Sequence, residues 1–234
     1  MKKYGVIIDR KSKFTYVVLN FINEVCVAKH FAEIRIEGDE KLPKGPFILI
    51  SNHSARWDGP VVQQVIRRPA NWMVSPNELK GLQGLLLRAG GAFPANPKFD
   101  LLTFMRNQAA KAEPIVIFPE GDIHKDGFTK PFKPGAARAA LICADDGLDV
   151  PIVAMAISYS GTKPDRVRML VGDPIDVKSR LEGYRTEPLL TIQSLTHQLR
   201  REVCYLRAEL GSDRDRQFLL ESKPTRSWAQ SVAS

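Results

Sequence analysis

Cysteine is scarce in this chain: Cys26, Cys143 and Cys204 are the only three in 234 residues. Their number is odd, they stand far apart, and no C-x-x-C pair occurs, which argues against a disulfide framework and a structural zinc site. They read as reduced, intracellular and mostly buried. Long uninterrupted hydrophobic runs are missing as well. The most apolar stretch, Phe14 to Phe31, is broken by Asn20, Asn23, Glu24 and Lys29, which argues against a membrane-spanning helix. Met1 to Arg10 lacks the apolar core and small-residue cleavage site of a secretory signal, so the expected location is the cytoplasmic side. There is no internal repeat, no H-E-x-x-H, and no aromatic-and-basic motif of the RNA-binding kind, so nucleic acid is not an expected partner.

What the chain does have is an ordinary globular composition, with 44% hydrophobic and 26% charged residues, enough for one well-buried domain. The excess of 34 Lys+Arg over 26 Asp+Glu gives a formal charge of +8, which suits a partner bearing phosphates or an anionic membrane surface. Phe14, Val17, Val18, Phe21, Ile22, Val25 and Cys26 fall on one face of a helix, and Lys2, Lys3, Arg10, Lys11 and Lys13 precede it. That pattern fits an amphipathic helix at a membrane interface and also a helix packed on the core.

Beyond that helix, strands are expected at Ala32 to Glu37, Phe47 to Ser51, Trp72 to Ser75, Gly91 to Ala95, Pro114 to Phe118, Val150 to Ser158 and Arg166 to Val171. Helices are expected at Pro60 to Arg67, Leu79 to Arg88, Phe99 to Ala112, Gly135 to Asp146 and Leu189 to Leu210. The alternation predicts an α/β fold: a single domain with a mixed sheet wrapped by helices and an N-terminal amphipathic helix. Residues 1–31 are expected to form the basic N-terminus and amphipathic membrane-interface helix, and 32–210 the α/β domain. Residues 211–234 read as a loose tail whose removal after Gly211 should leave the activity largely intact.

The chemistry concentrates in Ser51-Asn52-His53-Ser54-Ala55-Arg56-Trp57-Asp58, directly after the apolar run Pro46 to Ile50. An imidazole takes a proton from a hydroxyl near neutral pH, and a carboxylate fixes its tautomer and steadies the imidazolium. A second apolar run, Ile115 to Phe118, ends in Pro119-Glu120-Gly121, again at the end of an expected strand. Strand ends in open α/β sheets converge on one crevice, so His53, Asp58, Glu120 and the Gly121 amide are candidates for a common pocket. Lys133, in Phe132-Lys133-Pro134-Gly135 ahead of an Ala-rich helix, could favour an anion.

These blocks, in this order, resemble the glycerolipid acyltransferase family that includes the 1-acylglycerol-3-phosphate acyltransferases. N-H-x-x-x-x-D stands as Asn52, His53 and Asp58; F-P-E-G as Phe118 to Gly121; F-K-x-G as Phe132 to Gly135; and a proline-opened strand as Val150 to Val153. A further block is partly present as Glu78-Leu79, Gly84 and Gly90 to Pro94, so the resemblance spans about Ile34 to Gly172. It implies transfer of a fatty acyl group from acyl-CoA or acyl-ACP to the free hydroxyl of a lysophospholipid-type acceptor, with 1-acylglycerol-3-phosphate first among them. His53 would be the general base, Asp58 would hold its ring, and Glu120 and Gly121 would shape the acceptor pocket. The thioester is a cosubstrate, and neither metal nor cofactor is implied. The protein would sit peripherally on the inner face of the membrane.

Two departures from the family pattern bear on the acceptor. Asn96-Pro97-Lys98 stands where the family usually has an arginine, and Asp122-Ile123 where it usually has Thr-Arg, both positions associated with the acceptor's phosphate. A lysine reproduces a guanidinium's bidentate contacts only in part, and Asp122 has the wrong sign. Arg56, Lys98, Lys130 or Lys133 would supply replacement charge, or the acceptor is not a glycerol phosphate. Two other classes remain as alternatives: a metal-dependent hydrolase using Glu120 and His124, and a non-catalytic basic module that binds membranes.

Overall fold

The computed structural model describes residues 4–160 and 165–222. Its centre is β2 (Ile48–Ser51), a run in which every residue is buried, flanked by β5 (Ile115–Ile117) and β6 (Ile152–Ser160). Both neighbours run parallel to it, pairing Ile48 with Ile115 and with Ile152. Outward from β5 come β3 (Asn71–Val74) and β4 (Ala92–Pro94), also parallel. On the other side β7 (Arg166–Ile175) pairs antiparallel with β6, and β1 (Glu33–Glu37) closes the edge parallel to β7. The result is the expected mixed sheet, seven strands in the order β1-β7-β6-β2-β5-β3-β4.

Alternation along buried strands sorts the side chains onto two faces. Ile48, Ile50, Ile115, Ile117, Ile152 and Ala154 pack with α4 (Leu101–Ala110), α5 (Gly135–Asp145) and α7 (Pro188–Glu209), which contribute Phe104, Leu141, Leu195 and Leu199. Leu49, Val116, Val153 and Met155 meet Val61, Val62 and Val65 of α2 (Asp58–Ile66) and Val27 of α1 (Lys13–His30). Because β2, β5 and β6 are parallel, their C-terminal ends share one rim.

The seven-residue apolar stripe of α1 turns away from the core. Phe14 is 79% exposed, Val17 63%, Phe21 66% and Ile22 50%, and Val27 is the helix's buried residue. Beside it lies α3 (Gly81–Ala89), with Leu82, Leu85 and Leu86 also exposed. Of the expected basic flank, Lys2 and Lys3 lie outside the described residues. Lys11 is corrected: its ammonium is held by Asp9, Glu113, Asn71 and Gln108 as a partly buried structural tie.

Three elements differ from the sequence expectation. The strand expected to end at Val171 continues to Ile175, pairing Pro174 with Val153 and Ile175 with Ile152 beyond a register irregularity between Val153 and Met155. A short helix α6 (Leu181–Thr186) precedes α7. Within the stretch expected to be loose, α8 (Asp213–Glu221) forms a helix capped by Ser212 and fastened by Asp215, which is fully buried against Arg207. Its charged sequence looks solvated because the groups that satisfy it come from distant segments. Residues 223–234, which complete that stretch, lie outside the described residues.

Candidate active site

The first motif occupies the turn between β2 and α2. Asn52 extends the ladder with its side chain: Oδ1 accepts from Ile157 N at 2.8 Å and Nδ2 donates to Ile157 O at 3.1 Å. This bracket fixes the chain direction just before His53. Asp58 opens α2, favourably for an acid at a helix N-terminus, and is wholly buried. Its Oδ2 meets His53 Nδ1 at 2.7 Å and accepts the Ser54 and Ala55 amides at 2.7 and 2.9 Å. Its Oδ1 accepts the Tyr159 hydroxyl at 2.6 Å.

An acceptor-only carboxylate facing Nδ1 selects the tautomer protonated there and leaves Nε2 free to accept a proton. The His53 side chain stays 21% exposed. Phe118, at the end of β5, stacks on the imidazole at 4.4 Å and fixes its plane. The neighbouring loop supplies Glu120, whose Oε1 accepts the His53 amide at 2.8 Å and Oε2 the Lys130 amide at 2.9 Å. Burial raises the Glu120 pKa above the ordinary carboxylate value, opposed by those two amides and then by His124 and Arg207.

Gly121 has a left-handed φ of +86°, and a Cβ there would lie 2.1 Å from Lys133 Nζ. The left-handed turn favours glycine here, and the flexible Lys133 side chain crosses over it. The structure thus brings His53, Asp58, Glu120, Gly121 and Lys133 together. Arg56 is exposed on the same motif turn. Lys98 follows β4, three strands from β2, about 14 Å away by strand spacing. Glu120 and His124 lie on an irregular loop, so the helical spacing that would pair them as metal ligands is not formed. Among the described residues no group of three or more His, Cys, Asp or Glu is placed to hold a metal ion, and no helix is long and apolar enough to cross a membrane.

Sequence reasoning missed Tyr159, the Asn52 bracket and the amide ligands of Asp58 and Glu120. Asn52 carried a signal, since a polar residue directly after a fully apolar strand needs buried partners. Tyr159 carried none, because an aromatic late in a strand reads as packing.

The chain's fold is similar to the crystal structure of the 1-acyl-sn-glycerophosphate (LPA) acyltransferase PlsC from Thermotoga maritima, with a TM-score of 0.61, 20% identity, and coverage of 84% of this chain and 81% of that one. No relative among curated proteins matches. A family model described as acyltransferase matches residues 33–158, more than half of the chain and including the His53 motif and the Glu120 loop. This protein belongs to the acyltransferase family.

Proposed function

We propose that this protein transfers a fatty acyl group from acyl-CoA or acyl-ACP to the free hydroxyl of a lysophospholipid-type acceptor, with 1-acylglycerol-3-phosphate the leading candidate. The observation that carries the reading is the 2.7 Å contact between His53 Nδ1 and the buried Asp58 carboxylate, which leaves Nε2, on a side chain 21% exposed, as the ring nitrogen able to take a proton. Nε2 takes the acceptor's hydroxyl proton as that oxygen bonds to the thioester carbonyl carbon. The tetrahedral intermediate collapses, the C–S bond breaks, and the imidazolium returns the proton to the departing thiolate. Ester and thiol leave, and no acyl-enzyme forms. Glu120 and Gly121 shape the acceptor pocket, while Lys133, Arg56 and the more distant Lys98 are the candidate cations for a headgroup phosphate.

A second acceptor class is favoured by one observation: Asp122 stands exposed beside Gly121, where a cation would serve a phosphate better. An acceptor with a neutral or larger headgroup is the alternative. Purified protein given labelled acyl-CoA and acyl-ACP with a panel of lysolipids and other lipid alcohols distinguishes them. His53→Ala and Asp58→Ala should each abolish turnover while remaining folded. Failure of the parent to acylate any acceptor, or full activity in both variants, rejects the reading.

The exposed face of α1, continued by Leu82, Leu85 and Leu86 of α3, supports peripheral attachment to an anionic membrane, apolar side chains entering the interface and Arg10 and Lys13 near the headgroups. Parent protein should co-sediment with vesicles rich in anionic lipid. Phe14→Asp combined with Phe21→Asp should weaken that binding at least about tenfold. Unchanged sedimentation would refute the placement.

A further inference from the structure

Tyr159 lies one residue beyond the segment matched by the family model. Its hydroxyl donates to Asp58 Oδ1 at 2.6 Å, while all three other donors to this carboxylate sit on Oδ2. The ring stacks on Phe31, the cap of α1, at 5.8 Å, and Phe31 in turn meets Trp57 edge-on at 5.6 Å. The last strand residues, the end of α1 and the motif turn therefore lock one phenol against one carboxylate oxygen. We propose that Tyr159 is a positioning residue for the acyl transfer, setting through Asp58 both the orientation and the basicity of His53. The proposal rests on the reading of His53 as general base.

Two physical consequences support it. Without the hydroxyl, Oδ1 would be a buried carboxylate oxygen with no donor, so the plane of the carboxylate, and with it the ring's orientation, would be less firmly fixed. The hydroxyl also draws charge from the carboxylate, tempering its hold on the imidazolium, so that the proton taken up in the first half of the reaction can be given back in the second. Burial, followed by the adjacent Asp58, pushes the phenol far above its ordinary range, so it remains a donor at every working pH. The other ionisable groups around the pair are Glu120, bonded to the His53 amide; His124, whose amide donates to the His53 carbonyl; Arg56 on the motif turn; and His30, stacked on Trp57.

The test is Tyr159→Phe, which keeps the ring and its stack on Phe31. At neutral pH kcat should fall about tenfold or more, with the KM for thioester and acceptor changed less than about twofold. The acid limb of the kcat profile should move to higher pH, because the untempered carboxylate holds the imidazolium longer. The low-field proton resonance of the His53 to Asp58 hydrogen bond should shift as well. A ring-fluorinated tyrosine at position 159, a stronger donor in the same shape, should move the acid limb the opposite way. This second substitution also decides the matter if Tyr159→Phe fails to fold. Parental kcat with an unmoved acid limb in either substitution would overturn the proposal. If the parent shows no acyl transfer, the proposed function fails instead, and the proton resonance still tests the Tyr159 contact by itself.

Discussion

At the scale of single residues, the site is built on satisfied polar groups rather than on charge. Asp58 is completely buried and accepts four hydrogen bonds, and Glu120, 6% exposed, accepts two backbone amides. Burying a carboxylate is costly unless such donors are supplied. Asn52 performs the same service for the backbone of β6. Asn52→Ala leaves the Ile157 amide and carbonyl buried without those partners and should destabilise the fold by about 3 kcal/mol. Urea unfolding measures this, and a loss below about 0.5 kcal/mol would mean that water or a strand shift takes over the bracket. The sequence made His53 and Asp58 legible because a strand-end histidine and carboxylate in one turn have few structural alternatives once later motifs repeat the placement. It left Tyr159 and the amide donors illegible, since backbone groups have no letter and Tyr159 is 101 residues from Asp58 in the chain.

Among the elements, α8 departs most from what its sequence suggests. Its residue Asp215 binds Arg207 of α7 at 2.8 Å and accepts the Thr129 amide, while Arg214 and Ser212 reach the carbonyls of Asp126 and Gly127. Arg200 of α7 holds the Thr129 carbonyl and lies over the Phe218 ring. The contacts to Thr129, Asp126 and Gly127 reach the loop whose Lys130 amide holds Glu120. Asp215→Ala removes the ion pair of the half-buried Arg207 and the acceptor of the Thr129 amide, and should cost about 3 kcal/mol. Truncation after Gly211 should then lower specific activity in the fraction that remains folded, opposite to what a loose tail implies. A folded truncation with parental kcat would show that the loop holds Glu120 unaided. The helix escaped sequence reading because nine charged-rich residues have weak periodicity, and their stabilisation comes from pairings across the fold.

For the molecule as a whole, the buried thiols set a limit at alkaline pH. Burial, followed by Asp146, pushes Cys143 from 9.0 up to about 11, and burial, followed by Asp215, pushes Cys204 to about 12. Both folded values are raised, so their stabilising contribution is fully present below 9.0 and is lost as pH rises through about 11 and about 12. In that window the unfolded chain releases protons that the folded chain keeps, and each thiol lowers stability by up to about 1.4 kcal/mol per pH unit. Urea unfolding between about pH 8 and about pH 10 should show the decline, and Cys143→Ala with Cys204→Ala should flatten it. Equal slopes in parent and variant would assign the loss to other groups, Tyr159 among them.

By itself the sequence determined the α/β alternation, the core strands and the two strand-end motifs, because these depend on local periodicity and on chemistry written within a few residues. Tertiary structure decided which way the apolar stripe of α1 faces, since a stripe has the same period whether it meets a core or solvent. It decided that Lys11 is a structural tie, that α8 braces the Glu120 loop, and that Tyr159 reaches Asp58. Each of these depends on strand order and on contacts between residues far apart in the chain, where the pairing energy appears only after folding has brought the partners within hydrogen-bonding distance.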